Sequence, residues 1–385
     1  MSIDHEIREI CNRYIVENKH KESQYFDAIK RLVAARNQAT ATDRPQWQAA
    51  IDHVYELIRD EMLTNAGQPL QRIKFGTSGW RGTLGKDLFV RSVAVVTAAI
   101  LGLYREAETN AAMRLALGVH SFAEMQRRGG VVGFDNRFGG PLLAQAVVNV
   151  LCANGVKVFY AGEATTGALS ASVLIHKAAF SINLTPSHNP LEYGGFKYNA
   201  ADAGPASPLL TDTITQLARD YIGSQRVPFI PAGLNLARSL SELPALVSED
   251  ALASWQQLVR KGFDRHGIDY DRLLTEFAHD HDVVVCVDAV HGAARNYIAR
   301  LLDNPPTNRL ILLRDTEDPT FGGIAPEPSS ANMQPVLTTL ASRSEPLKIG
   351  AIIDPDSDRI RFTDGTVEIS MNQFGAMAYH FLHEI

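Results

Sequence analysis

A serine on a stiff loop is the first candidate for chemistry in this sequence. Residues 185–190 read Thr-Pro-Ser-His-Asn-Pro, and each proline fixes its own φ and pushes the residue before it away from helical conformations. The apolar segment 178–184 predicts a buried strand that ends at this loop, and Lys197 lies ten residues beyond Ser187. Such an arrangement is typical of a reactive centre. An ordinary surface turn is the alternative, because Ser, Asn and Pro are common turn residues.

An acidic loop is the second candidate. Its sequence, Asp-Pro-Asp-Ser-Asp-Arg, places Asp354, Asp356 and Asp358 at alternate positions directly after a predicted strand. Three such carboxylates can wrap a hard cation, and oxygen ligands alone favour Mg²⁺ over Zn²⁺. A calcium-binding EF-hand loop is excluded, because it needs Gly at its sixth and Glu at its twelfth position, where Arg359 and Gly365 stand. A solvated acidic turn is the alternative, although neighbouring aspartates repel each other without a cation.

A glycine-rich loop is the third and weakest candidate. Residues 74–82 read Lys-Phe-Gly-Thr-Ser-Gly-Trp-Arg-Gly, so the backbone can approach an anion and Arg81 could hold a phosphate through two N–H groups. Glycine-rich turns are common in proteins, and this segment indicates little by itself.

Together the three loops favour phosphoryl transfer through a phosphoserine. A cation and basic side chains would neutralise the oxygens of the transferred group, and Lys197 could handle the hydroxyl proton. A Ser-His-Asp hydrolase fits less well. The sequence has no Gly-x-Ser-x-Gly motif around Ser187, and His188 is adjacent to that serine and therefore poorly placed to be its base.

Size and composition indicate a soluble protein of two or three domains, because 385 residues exceed one usual domain. The net charge of −6 argues against a nucleic-acid partner. Cys11, Cys152 and Cys286 are odd in number and far apart, which fits a reducing cytoplasm, and Cys286 lies in an apolar run that predicts a buried thiol. The start lacks the pattern of a signal peptide, and the apolar stretch 93–103 is too short to cross a membrane.

The first 70 or so residues predict a helical extension without evident chemistry, which we expect to be a packing arm or a contact between copies of a homo-oligomer. Its two apolar faces at helical spacing are formed by Tyr25, Ile29, Leu32 and Val33, and by Trp47, Ile51, Val54, Leu57 and Ile58.

Strands alternate with helices after residue 73. The predicted strands are 131–135, 156–160, 283–288, 310–313 and 349–354, and the predicted helices are 142–153, 293–302 and 371–383. Such alternation predicts sheets with helices on both faces, whose active sites lie beyond the carboxyl ends of the strands. Asp135, Asp288, Asp354 and the Ser187 loop all fall there.

The three loops, in this order, resemble those of the α-D-phosphohexomutases, the phosphoglucomutase and phosphomannomutase enzymes. The resemblance runs from about residue 70 to the end of the chain. It implies tandem α/β/α sandwich domains of the phosphohexomutase type with an N-terminal helical extension. The implied activity is interconversion of hexose 1-phosphate and 6-phosphate through a phosphoserine and a bisphosphorylated sugar, in the cytoplasm.

The resemblance also implies roles for particular residues. Ser187 would be the phosphorylated serine, Lys197 the general acid/base, and Asn189 a support of the loop. Mg²⁺, one per active site, would be bound by Ser187 through its phosphate together with Asp354, Asp356 and Asp358. The phosphoserine and the substrate phosphate would be lined by Arg81, His188, Lys197 and Arg359.

The end of the chain departs from the family pattern. The expected division is a helical extension at 1–70, domain I at 71–226, domain II at 227–362 and the start of a third domain at 363–385. The Gly-Glu-x-Ser-Gly and Arg-x-Ser-Gly-Thr loops of the family's third and fourth domains do not occur. A C-terminally truncated mutase is therefore expected. A non-catalytic module that binds metal or phosphosugar is the main alternative, and a phosphatase is the third possibility.

Overall fold

Three N-terminal helices precede two mixed β-sheets with their covering helices in the computed structural model, which describes residues 2–76, 79–243 and 246–384. Two residues of the glycine-rich loop, Thr77 and Ser78, lie outside the described residues.

The helices and strands follow one another along the chain in the predicted alternation. The helices are α1 (Ile3–Tyr14), α2 (Tyr25–Gln38), α3 (Arg44–Thr64), α4 (Val90–Glu106), α5 (Ala111–Leu117), α6 (Phe122–Arg128), α7 (Gly140–Ala153), α8 (Thr166–His176), α9 (Pro208–Ile222), α10 (Ala251–Lys261), α11 (Phe263–His266), α12 (Tyr270–His279), α13 (Ile298–Leu301), α14 (Ser330–Ala341) and α15 (Met371–Glu384). The strands are β1 (Trp80–Thr83), β2 (Gly130–Phe134), β3 (Val158–Glu163), β4 (Phe180–Leu184), β5 (Tyr193–Asn199), β6 (Leu246–Ser248), β7 (Val283–Asp288), β8 (Leu310–Leu313), β9 (Leu347–Ile353), β10 (Ile360–Thr363) and β11 (Glu368–Ile369).

The first sheet has the strand order β1-β5-β4-β2-β3-β6. Strands β4, β2, β3 and β6 are parallel, whereas β5 and β1 complete the sheet in antiparallel pairing. Every residue of β2 and β4 is buried, which explains their continuous apolar runs, because helices cover both faces of the sheet. Since β2 and β4 are parallel neighbours, Asp135 and Thr185 leave the sheet side by side at its carboxyl edge.

The second sheet has the order β11-β10-β9-β7-β8, with β9, β7 and β8 parallel. Helix α14 covers one face through Met333, Val336 and Leu340, which pack on Val284 and the buried thiol of Cys286. The predicted burial of this cysteine is confirmed. The acidic loop begins immediately after β9, again at the carboxyl edge of a parallel strand.

The predicted apolar faces of the N-terminal helices are confirmed. Their residues belong to the same hydrophobic core as the first sheet, and all are buried except Leu57, which is partly exposed. Helices α2 and α3 pack against each other and form an integral layer of the fold, so the packing role is the one that the structure shows. The contact with a second copy stays a prediction.

Several of the predicted elements were wrong in part, and β4 begins at Phe180, two residues later than expected. The helix expected at 293–302 is a 3₁₀ turn (Ala293–Asn296) followed by the one-turn helix α13. The start of this segment packs closely on the acidic loop. The Ala293 N–H donates to the Pro355 carbonyl at 2.9 Å, and a Cβ on Gly292 would lie 2.6 Å from the Cα of that proline. Strand β3 begins two residues later than expected, since the Val156 N–H closes the end of α7 by donating to the Leu151 carbonyl.

No helix within the described ranges combines the length and the apolar character that a membrane crossing requires.

Candidate active site

Ser187 is held in a constrained backbone conformation at the end of β4. It is fully buried, and its φ of +59° lies in the left-handed region, which costs a non-glycine residue about 1–3 kcal/mol. Its N–H donates to Thr185 Oγ1 at 2.9 Å, and that hydroxyl donates to Asp135 Oδ2 at 2.7 Å. Because β2 and β4 are parallel neighbours, Asp135 and Thr185 lie close enough to form this chain of hydrogen bonds. The chain holds the backbone that carries the Ser187 hydroxyl.

Arg137 secures the rest of the loop. Its guanidinium donates to the carbonyls of Ser187 and Pro190, both at 2.7 Å, and also to that of Asn189. Arg137 and Asp135 are both buried, and their charged atoms lie 3.5 Å apart. The sequence prediction missed Arg137. The available signal was an arginine two residues after an acid that ends a buried strand.

The acidic loop folds around its first carboxylate. Asp354 Oδ1 accepts the N–H of Arg359 at 3.0 Å, and its carbonyl accepts the N–H of Ser357 at 3.0 Å. Ser357 itself has a φ of +60°, which turns the chain back toward the site. As a result, oxygen atoms of Asp354, Asp356 and Asp358 all lie within 4.8 Å of one another.

The serine loop of the first sheet meets the acidic loop of the second sheet directly. Ser187 Oγ donates to Asp354 Oδ2 at 2.7 Å and lies 3.3 Å from Asp358 Oδ1. Arg359 Nη2 is 3.5 Å from the same hydroxyl. The structure thus brings together two motifs that are more than 160 residues apart in sequence.

Lys197 on β5 reaches across to the same carboxylates. Its Nζ lies 2.6 Å from Asp356 Oδ2 and 2.8 Å from Asp358 Oδ2. Burial by itself lowers the pKa of Lys197, but attraction to these two carboxylates outweighs it, so the pKa lies above its ordinary value. Lys197 therefore stands at the site as an ammonium group and a proton donor. Thr166 at the start of α8, which the sequence prediction also missed, donates to Asp356 Oδ2 at 2.8 Å.

His188 is a poor base for its neighbour Ser187. Its Nδ1 lies 3.3 Å from Ser187 Oγ, but the guanidinium of Arg359 donates to this same nitrogen. Burial and the nearby positive charges of Arg359 and Arg81 lower the pKa of His188, which keeps the imidazole neutral. Since Arg359 occupies the Nδ1 lone pair, a hydrolase triad built on His188 is disfavoured.

Arg81 on β1 approaches the serine loop from the other side. Its Nη1 donates to Asn189 Oδ1 at 2.8 Å, so this pair links β1 to the loop. Among the described residues, its Nε is buried and has no hydrogen-bond partner. Arg81 therefore retains an N–H that a phosphate oxygen could accept.

The acidic loop suits a hard cation. Burial is the main reason that the pKa of Asp354 lies well above its ordinary value, and repulsion from Asp356 and Asp358 adds to it. Asp356 Oδ1 is buried and, within the described part of the chain, accepts no hydrogen bond. Negative charge crowded in this way and an unused carboxylate oxygen fit Mg²⁺, which takes oxygen ligands.

Asp288 lies at the expected sheet edge but forms an ion pair away from the serine and acidic loops. The Arg314 guanidinium donates to both of its carboxylate oxygens, at 2.8 and 2.9 Å from Nε. This ion pair uses both oxygens of Asp288, whereas Asp356 of the acidic loop keeps one oxygen without a hydrogen bond among the described residues.

Replacing Asp135 by Asn is expected to change how stability depends on pH. Burial raises the pKa of Asp135 from 3.8 to about 6, against the opposing attraction of Arg137. The folded chain therefore holds this proton more tightly than the unfolded chain, and the associated stability is present below pH 4 and lost as the pH rises through about 6. We expect the free energy of unfolding of the parent chain, relative to that of Asp135→Asn, to fall by about 2.4 kcal/mol between pH 4 and pH 7.

Urea unfolding at the two pH values measures this difference, with the exposed Asp264→Asn as a control. The expectation would be contradicted if the free energies of unfolding of the parent chain and Asp135→Asn differed by the same amount at both pH values.

The fold and the site define a class of α/β protein in which two three-layer units bring a buried serine against an aspartate triad. Residues 72–222 match the phosphoglucomutase/phosphomannomutase alpha/beta/alpha domain I, and residues 269–367 match domain II of the same family. The chain belongs to the α-D-phosphohexomutase family. The predicted family and the predicted class of tandem α/β/α units with N-terminal helices are thereby confirmed.

Individual relatives are similar over part of their length. The cytoplasmic phosphoglucomutase of Mesembryanthemum crystallinum is 28% identical over 253 residues, which cover 60% of this chain and 42% of the relative. Human phosphoglucomutase-like protein 5 is 31% identical over 245 residues, with shares of 60% and 42%. The chain thus spans less than half the length of these relatives.

The fold of a putative phosphomannomutase from Thermus thermophilus is also similar. Its TM-score is 0.58 at 24% identity, and the match covers 79% of this chain and 60% of that one.

Proposed function

We propose that this chain carries the phosphoryl-donor and metal-binding part of a hexose phosphate mutase, with Ser187 as the phosphoryl carrier. The observation that supports this most is the contact between the two loops. Ser187 Oγ lies 2.7 Å from Asp354 Oδ2, 3.3 Å from Asp358 Oδ1 and 3.5 Å from Arg359 Nη2. Lys197 contacts the carboxylates of Asp356 and Asp358 in the same loop. Family membership supplies the substrate class, hexose phosphates and hexose bisphosphates. The relation of Ser187 to the carboxylates is what makes it the carrier that we propose.

In the proposed loading step, Ser187 Oγ attacks the phosphorus of a hexose bisphosphate, and the bond from that phosphorus to the sugar oxygen breaks. The Ser187 hydroxyl proton would pass to Asp354 Oδ2, to which the hydroxyl already donates, and the sugar oxygen gains one proton, so the step consumes no net proton. We assign the proton donated to the sugar oxygen to Lys197, whose raised pKa keeps it charged. In the reverse step, the phosphoserine passes its phosphoryl group to the 6-hydroxyl of hexose 1-phosphate, which gives the bisphosphate. Loading of Ser187 from the 1-phosphate of that bisphosphate then releases hexose 6-phosphate.

The remaining residues would stabilise negative charge and exclude water. Arg359 and the free N–H of Arg81 would face the phosphoryl oxygens, and neutral His188 would line the phosphoserine. Asp354, Asp356 and Asp358 would hold Mg²⁺, which when bound would draw charge from the transferred group. The predicted division into domain I at 71–226 and domain II at 227–362 remains a proposal. Because β6 (Leu246–Ser248) pairs with β3, we propose that the first unit extends beyond residue 226.

Mass spectrometry after incubation with glucose 1,6-bisphosphate tests the proposal most directly. We expect a gain of one phosphoryl group, mapped to Ser187, and conversion of glucose 1-phosphate into glucose 6-phosphate. Phosphate gained at another residue, or no gain at all with Mg²⁺ present, would contradict it.

A non-catalytic metal-binding module is the second candidate, and the unused Oδ1 of buried Asp356 supports it independently of any transfer. Mg²⁺ binding without isomer formation would favour this candidate. Release of inorganic phosphate without isomer formation would instead indicate a phosphatase.

Mg²⁺ is expected to stabilise the chain, and Asp356→Asn should abolish the gain. A ligand at 100 times its Kd adds about 2.7 kcal/mol to the free energy of unfolding if it binds only the folded state. Asp356→Asn also alters contacts with Lys197 and Thr166, so the quantity to compare is the increment caused by Mg²⁺ within each variant.

Urea unfolding with and without Mg²⁺ gives this increment. The exposed Asp264→Asn should keep the whole of it. If Asp356→Asn also keeps it, the cation binds elsewhere.

A further inference from the structure

Helices α2 and α3, which we call the strap, lie before residue 72, where the family match begins. The strap is nevertheless buried in the main core, with Ile29, Leu32, Ile51 and Ile58 fully shielded from solvent. Its polar side chains contact both α/β units close to the site. The mechanism proposed above assigns the strap no task.

The C-terminal end of α2 is attached to the second α/β unit. Arg36 Nη2 donates to Thr320 Oγ1 at 3.3 Å and lies 3.6 Å from Asp318 Oδ2, with both charged side chains largely buried. The neighbouring Asn37 donates its amide to the Gly322 carbonyl at 2.8 Å. These contacts link residues more than 280 positions apart in sequence.

The segment that α2 holds, residues 318–323, is a tight turn with its own internal bonds. Asp318 accepts the N–H of Thr320 at 2.8 Å and that of Gly322 at 3.0 Å. This turn buries Phe321 completely and places its ring 4.9 Å from the guanidinium carbon of Arg137. Arg137 is the side chain that secures the Ser187 loop, so the turn of the second unit packs directly on the support of the serine.

The strap also contacts the serine side. Tyr55 of α3 stacks on Phe138, with ring centroids 4.4 Å apart, next to Arg137 in sequence. Lys30 of α2 pairs with Glu192 at 2.8 Å, just before β5. The strap therefore contacts both the segments that flank the serine loop and the turn at 318–323.

We propose that the strap fixes the two α/β units relative to each other, and that Arg36 is a positioning residue for phosphoryl transfer at Ser187. The contacts between the units inside the site, such as Ser187 with Asp354 and Lys197 with Asp356, are made by groups that must exchange partners during transfer. Outside those groups, the Glu163–Arg295 ion pair also joins the units, with Oε2 and Nη2 2.7 Å apart.

Other contacts also join the units, including the Asp250–Arg300 ion pair and the Thr166 N–H that donates to the Asp356 carbonyl at 2.8 Å. The strap adds a further point of attachment, which restricts rotation of one unit against the other. A misplacement of about 1 Å can cost about 10²-fold in rate, so such a restraint has a kinetic consequence. The consequence for rate rests on the proposed function, whereas the mechanical coupling does not.

Arg36→Met removes the guanidinium and keeps a stem of similar length, and Asp318→Asn removes its ionic partner. Each is expected to raise amide hydrogen exchange both in 318–323 and in 185–193, and to slow phosphorylation of Ser187 by glucose 1,6-bisphosphate about 10-fold. The loss should appear in the maximal rate and not in the donor concentration for half-maximal rate. Exposed Arg31→Met on the same helix is the matched control and should change neither quantity.

The double variant distinguishes a positioning role from general destabilisation. If Arg36 acts through Asp318, Arg36→Met combined with Asp318→Asn should slow phosphorylation no further than either change alone. Faster exchange in 318–323 with unchanged exchange in 185–193 would overturn the proposed coupling. If the unsubstituted chain is not phosphorylated, the proposed function fails, and the exchange measurement still decides whether the strap couples the units.

Discussion

Ser187→Ala is expected to abolish phosphate incorporation from glucose 1,6-bisphosphate, with a loss of more than about 10³-fold. Alanine has no oxygen to bond to phosphorus, and removal of a covalent nucleophile costs about 10⁶-fold in the best-studied serine hydrolase series. The fold should change little. Serine and alanine both carry a Cβ and meet the same backbone restriction at the φ of +59°.

Intact-mass measurement over time gives the incorporation rate, and isomer formation from glucose 1-phosphate gives the turnover. Ser181→Ala is a suitable control because this serine is also buried and lies on the strand that leads into the loop. Incorporation in Ser187→Ala at the parental rate would exclude Ser187 as the carrier.

The buried strands could be predicted from sequence because their signal is local. The runs at 283–288 and 310–313 coincide with β7 and β8, since a strand covered on both faces must be apolar at consecutive positions. The segment 293–302 shows the limit of such reasoning. Its composition allows a helix, but the start of the segment packs against Pro355 of a distant loop, which no local pattern indicates.

The Ser187 loop and the three aspartates could be predicted as candidates because each motif directly follows a strand. The supports of those groups could not. Arg137 recognises carbonyl oxygens, which every residue possesses, so no sequence pattern identifies its partners. Thr166 is an ordinary residue at the start of a helix until folding brings Asp356 to it.

The strap illustrates the same distinction on a larger scale. Its spacing of apolar residues indicates two helices with one buried face each. Spacing cannot indicate which surface covers that face, nor that Arg36 at the end of the helix reaches a turn of the second unit. Amphipathicity is a property of one segment, whereas the surface that a segment packs on depends on the fold of the whole chain.

Arg137→Met is expected to lower the free energy of unfolding by about 3–5 kcal/mol at neutral pH, the cost of removing one partner from a buried ion pair. Three carbonyls of the serine loop would lose their donor, and Asp135 would lose its opposite charge. Urea unfolding measures the loss, and exposed Arg127→Met is a control that should change stability little.

The pH dependence and a double variant separate the two causes. Arg137 lowers the pKa of Asp135, so its removal lets burial raise that pKa further and favours the protonated carboxyl. The destabilisation by Arg137→Met should therefore shrink as the pH falls toward 5, and the double variant with Asp135→Asn should recover the part that is due to the unpaired charge. The part due to the three carbonyls should persist, and with it slower phosphorylation of Ser187, because the loop would no longer be fixed. Full recovery of both stability and phosphorylation in the double variant would show that Arg137 serves only to balance the charge of Asp135.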